Sequence, residues 1–61
     1  MQATVDIWVP HHREVAEVLA DGIPGFLLCK RTPDGHGGRW ETYSFELPQE
    51  DPATVVIRFS T

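Results

Sequence analysis

The chain has a single cysteine, Cys29, which excludes an internal disulfide. A lone thiol suits a reducing compartment better than a secreted setting. No apolar segment approaches the roughly 20 residues that a membrane-crossing helix needs. The opening MQATVDIWVP lacks the basic start and apolar run of a signal peptide. The expectation is a cytoplasmic chain with no membrane segment. Cations are also scarce: five Lys and Arg stand against nine Asp and Glu, a formal net charge of −4. A free-standing nucleic-acid binder carries a basic stripe that replaces counterions along phosphates. The acidic balance weighs against DNA and RNA and favours basic protein partners.

Signatures of chemistry are equally thin. GxSxG, HExxH and phosphate-loop patterns are all missing. His11, His12, His36 and Cys29 are the candidate metal ligands, but they do not form the paired short spacings of a structural zinc site. No metal and no cofactor is expected. Cys29 sits in the apolar run GFLLCK, where a thiol serves as a small hydrophobe rather than a nucleophile. A chain of 61 residues has little volume for a pocket of about 300 Å³. An enzyme is not expected.

What is present is an ordinary globular composition, 41% hydrophobic and 23% charged, which makes one domain over residues 1–61. ATVDIWV alternates, with Ala3, Val5, Ile7 and Val9 on one face and Thr4, Asp6 and Trp8 on the other, and reads as a strand. From Pro10 to Asp21 the apolar spacing of Val15, Val18 and Leu19 predicts a helix. Gly22 would be its left-handed stop, and Pro24 forbids continuation. The adjacent His11 and His12 of VPHHREV then flank the apolar stripe at the helix start. Glu14, Glu17 and Asp21 form a solvated face of that helix. GFLLCKR, RWETYSFEL and TVVIRFS, residues 25–31, 39–47 and 54–60, read as three further strands. The predicted fold is α+β: a four-stranded, mostly antiparallel sheet with one helix packed on one face, in the order β-α-β-β-β. Its core would hold Val5, Ile7, Val9, Val15, Val18, Leu19, Phe26, Leu28, Tyr43, Phe45, Leu47, Val55, Ile57 and Phe59.

The opposite phase of the strands carries both tryptophans. Trp8, Leu27, Cys29, Arg31, Trp40, Val56 and Arg58 fall on the face that one helix cannot cover. A contiguous apolar patch on a small chain marks an interface, and tryptophan beside arginine is the composition of interface hot spots. The expected function is a small intracellular interaction protein, a regulator or inhibitor of the kind encoded by a bacterium or its phage. It would bind a protein partner, or itself as a homodimer or larger oligomer, through Trp8, Trp40, Leu27, Val56, Arg31 and Arg58. Two alternatives come from other classes. One is a homo-oligomer holding a planar small ligand between sheets. The other is a weak nucleic-acid contact through the glycine-rich loop KRTPDGHGGR, with Lys30, Arg31, His36 and Arg39 as its candidate residues.

Overall fold

A computed structural model of the chain describes residues 1–60. Thr61, the last residue of the single domain expected over 1–61, lies outside the described residues. Six strands are formed: β1 (Gln2–Pro10), β2 (Val15–Ala20), β3 (Ile23–Pro24), β4 (Phe26–Lys30), β5 (Gly38–Glu46) and β6 (Val55–Phe59). They make two three-stranded antiparallel sheets, ordered β1-β5-β4 and β3-β2-β6. Among the described residues there is no helix, and so none long and apolar enough to cross a membrane.

The predicted α+β fold is therefore corrected to all-β, and the element at fault is the helix over residues 10–21. Its sequence folds as a turn after Pro10 followed by strand β2. The reason lies at Asp21 and Gly22. Both adopt positive φ, 50° and 82°. That is the backbone of a two-residue type I′ hairpin turn, which favours Asp-Gly between strands. Gly22 thus closes a hairpin instead of capping a helix, and Ala20 pairs directly with Ile23. The Asp21 carboxylate then accepts the Ala53 and Thr54 backbone N–H groups at 3.2 and 3.0 Å. This ties the incoming β6 to the same turn. Pairing of β2 with β6, from Ala20↔Val55 to Val15↔Phe59, satisfies a backbone that a lone helix of about a dozen residues holds only marginally. A bulge at Ala16 shifts the register between Val15 and Glu17.

The two sheets share one core. Ile7 and Val9 of β1, Tyr43 and Phe45 of β5, Val18 and Ala20 of β2, and Leu47 are buried, with Ala3, Val5, Val15, Ile23 and Ile57 packed against them. The alternation expected for β1 and for Tyr43, Phe45 and Leu47 is seen. Four residues assigned to the core are instead exposed: Phe26, Leu28, Val55 and Phe59. The first two belong to β4, where all five residues are exposed because the second sheet does not reach over it. Val55 and Phe59 lie on β6, the edge of its own sheet.

Gly25 carries the chain from β3 in one sheet to β4 in the other. Its N–H donates to the Val18 carbonyl at 2.9 Å. A Cβ at this position would fall inside the ring of Phe45, a fully buried side chain. Overpacking of this kind costs about 1–3 kcal/mol, a large share of the roughly 3–5 kcal/mol that a core this small supplies. Gly25→Ala is expected to lower Tm by roughly 4–8 °C for each kcal/mol lost, as read by circular dichroism melting. The wild-type spectrum is expected to lack the helical double minimum. An unchanged Tm would show that Phe45 does not pack against the corner.

Candidate functional site

The outer face of the β1-β5-β4 sheet is the surface that the fold leaves uncovered. Register defines it as three rows across three strands. Trp8 stands opposite Trp40, and the Trp40 carbonyl accepts the Arg31 N–H at 2.9 Å. Asp6 stands opposite Thr42, which pairs on its other side with Cys29. Thr4 stands opposite Ser44, which pairs on its other side with Phe26. Two indoles at 39% and 41% exposure thus share one end of the face, and Phe26, at 77%, occupies the far corner.

The middle of the face is polar and internally paired. The Thr42 hydroxyl donates to Asp6 Oδ1 at 2.6 Å and accepts from Arg31 Nη2 at 3.2 Å. Arg31 also lies 3.8 Å from Asp6 Oδ2. Both side chains are about half exposed, so the ion pair itself contributes little stability. Its effect is to tether the guanidinium to Thr42 and Asp6 on the outer face.

Trp8 is also built into the loop that joins β4 to β5. Its indole N–H donates to Asp34 Oδ2 at 2.8 Å, while Asp34 Oδ1 accepts the His36 N–H at 2.7 Å. The Asp34 N–H donates to the Gly38 carbonyl at 2.9 Å. The indole lies against Gly38, where a Cβ would collide with the ring and with the Val9 carbonyl. The Trp8 hydrogen bond, followed by that from His36, holds the Asp34 carboxyl below its usual value.

Of the six residues expected to form one binding face, the structure brings together Trp8, Trp40 and Arg31. Leu27 pairs with Tyr43 and so points to the other side of its sheet, where it is half exposed. Val56 and Arg58 lie on β6 in the second sheet, opposite Leu19 and Glu17. Arg58 makes an ion pair with Glu17 at 3.1 Å. Phe26 joins the face although its sequence position suggested core. The cause is the bulge of β4, which alternation in the sequence does not reveal: an extra residue between Leu27 and Cys29 reverses the phase of the strand. Cys29 is likewise exposed, not shielded in an apolar strand as its sequence neighbours suggested.

The loop candidates separate as well. Lys30 pairs with Glu41 on the inner side of its sheet, and His36 is exposed at the loop tip. Arg39 is not a loop cation. It is buried in β5 beside Glu41, with Nε 2.7 Å from Glu41 Oε2 and Nη2 3.2 Å from the Arg13 carbonyl. The Tyr43 hydroxyl donates to Glu41 Oε1 at 2.6 Å. Burial alone would raise the Glu41 carboxyl, but the hydrogen bonds from Tyr43 and Arg39 win and hold it below its usual value. Burial and the same carboxylate push the Tyr43 hydroxyl up. Residues 39, 41, 43 and 45 alternate inward, so the parity that placed Tyr43 and Phe45 also placed this ion pair. Arg13 caps it, its guanidinium 4.4 Å above the Phe59 ring.

His11 and His12 sit in the turn after β1, both exposed, with ring centroids 6.1 Å apart at 83°. The His11 N–H donates to the Gly37 carbonyl at 2.9 Å, which continues the β1–β5 ladder. Among the described residues, no three His, Cys, Asp or Glu side chains are grouped as metal ligands. The solvated helix face expected of three acidic residues is dispersed: Glu17 faces Arg58, Asp21 holds the hairpin turn, and Glu14 lies 3.7 Å from Arg39.

Two outcomes follow from these contacts. A lowered carboxyl pKa means that its contribution is fully present above the usual aspartate range and is lost as pH falls through the folded value. The Trp8 indole N–H resonance is therefore expected to stay constant through mildly acidic pH and to move only below that range. Trp8→Phe should raise the Asp34 carboxyl toward its usual value, with the His36 N–H still holding it lower, and an unchanged Asp34 would contradict the contact. Glu41→Gln leaves the buried Arg39 charge with only the more distant, exposed Glu14 carboxylate, a loss of up to about 3–5 kcal/mol. Denaturant melts should find it far less stable than the apolar double replacement R39M/E41L. No protein-family model, curated protein or solved structure matches the chain.

Proposed function

We propose that the chain is a protein-interaction module, of the regulator or inhibitor kind, that engages a protein partner through the outer face of the β1-β5-β4 sheet. The observation that carries this reading is the in-register pair Trp8 and Trp40, 39% and 41% exposed on the face of the sheet turned away from the core. Aromatic anchors beside an arginine are the groups that dominate binding energy at protein interfaces. Here the anchors are Trp8, Trp40 and Phe26, and Arg31 is already oriented by Asp6 and Thr42. A preorganised face loses little side-chain freedom on association. The net charge of −4 favours a partner with a basic surface. A lone exposed thiol at Cys29 supports an intracellular, reducing setting.

The reading is of binding and not of catalysis. The ionisable groups on the face, Asp6 and Arg31, are engaged with each other and with Thr42.

Trp40 is the cleaner residue to test, because Trp8 also secures the 31–38 loop. Trp40→Ala is expected to keep the wild-type melting transition within a few degrees. It should also lose at least tenfold in partner affinity, the ~1.4 kcal/mol that separates a hot spot from a bystander. The measurement is co-purification from the native cell extract with wild-type and variant baits, followed by titration of the recovered protein. Equal recovery by both baits would refute the proposed face.

A further inference from the structure

We infer that β4 pairs edge to edge with β4 of a second copy, so that two chains form one continuous six-stranded sheet. The inference goes beyond the Trp8/Trp40 face and does not rest on it, since it uses the rim of the sheet instead of its surface.

β4 is the terminal strand of its sheet, and all five of its residues are exposed. Phe26, Leu27 and Leu28 are 77%, 49% and 62% exposed. A strand with apolar side chains on both faces is the pattern of one flanked by neighbours on both sides. Edge strands are normally blunted by charge, proline or cover, because a free row of N–H and C=O groups templates pairing with another chain. Here the apolar stretch Phe26–Leu28 has no charge, proline or cover among the described residues; the one blunting feature is the bulge between Leu27 and Cys29, and the nearest charge is Lys30 at the strand end.

Three features select a second copy of this chain as the occupant. The first is face matching. Phe26 and Cys29 pair with Ser44 and Thr42 on the outer face, whereas Leu27 and Lys30 pair with Tyr43 and Glu41 on the inner face. Arg31 also lies on the outer face, through its contacts with Thr42 and Asp6. Antiparallel pairing about a two-fold axis between Leu28 and Cys29 sets Phe26 against Arg31 of the second copy and Leu27 against its Lys30. Outer residues thus meet outer, and inner meet inner. The bulge in β4 is what makes this register consistent.

The second is charge. Lys30 and Arg31 stand at one end of β4, so antiparallel pairing carries them to the opposite ends, away from their own copies. The backbone of each Arg31 then stands beside Phe26 of the other copy, while its guanidinium stays with Thr42 and Asp6 of its own sheet. Parallel pairing would instead stack lysine on lysine.

The third is area. An isologous contact counts each exposed residue twice. An aromatic side chain carries about 150–250 Å², so at 77% exposure Phe26 offers more than 100 Å² in each copy. Edge pairing covers the flank of each side chain and leaves both sheet faces in water, so with Leu27, Leu28, Cys29 and Lys30 added from both chains the contact stays below the ~1,000 Å² of specific stable interfaces. The association is of the weak, concentration-dependent class, with Kd between roughly 1 μM and 1 mM.

The test is sedimentation equilibrium of the purified chain over that concentration range, for wild type, Leu28→Lys, Leu27→Lys and Trp40→Ala. Wild type and Trp40→Ala are expected to pass from monomer to dimer and no further. Both lysine variants should remain monomeric at every concentration while keeping the wild-type circular dichroism spectrum, since both side chains are exposed. A wild type that stays monomeric throughout overturns the inference, as do folded lysine variants that dimerise like wild type. Loss of the dimer in Trp40→Ala alone also overturns it, by placing self-association on the tryptophan face. Loss of partner recovery by Trp40→Ala, tested separately, leaves this outcome untouched.

Discussion

Nine residues of β1 run in unbroken register against nine of β5, from Gln2↔Glu46 to Pro10↔Gly38. The rest of the molecule depends on that ladder. On its inner side it sets Ile7, Val9, Tyr43 and Phe45 against Val18 and Ala20 of the other sheet. On its outer side the same register sets Trp8 against Trp40. One-residue slippage would exchange the two faces, sending tryptophans to the core and valines to water. Burial of Val9 and Phe45 on one side therefore enforces the aromatic display on the other.

The second constraint is material. Sixty-one residues supply two three-stranded sheets, and the β3-β2-β6 sheet covers the β1–β5 ladder without extending over β4. β4 is held by its ladder to β5 and by the corner at Gly25. Its apolar side chains remain in water on both faces. Exposed Phe26, Leu27 and Leu28 are thus a product of the same geometry that buries the core. A chain with a small core and a large apolar rim is one whose stability and partners are linked by mass action.

Much of the strand pattern was legible in the sequence. Alternation in ATVDIWV and RWETYSFEL identified two strands and their buried sides, and the tryptophans fell on the uncovered face as their phase required. The helix was not, because VAEVLADG satisfies two local rules at once. Val15, Val18 and Leu19 fit a helical stripe, and Gly22 fits its stop. Asp-Gly between apolar residues equally fits a hairpin, and the decision comes from TVVIRF, 35 residues further along at Ala20↔Val55. Pairing over that distance cannot be read from local spacing. The same holds for Trp8 opposite Trp40, which depends on strand order. The Arg39–Glu41 pair is a different matter. Inward parity from Tyr43 and Phe45 pointed to it, but the charges drew both residues toward a surface reading. Leu27, Val56 and Arg58 were assigned to the tryptophan face on the assumption of a single sheet, and the division into two sheets separated them.

The most direct measurement is amide hydrogen exchange, residue by residue, on dilute protein. The ladder account predicts the slowest exchange at the β1, β5 and β2 amides engaged in pairing. Fast exchange is expected at the β4 amides that point away from β5, since among the described residues no strand pairs with that rim. Continuous protection across residues 11–21 in a helical pattern would contradict the account. So would β4 amides as slow as those of β5 on both of its sides.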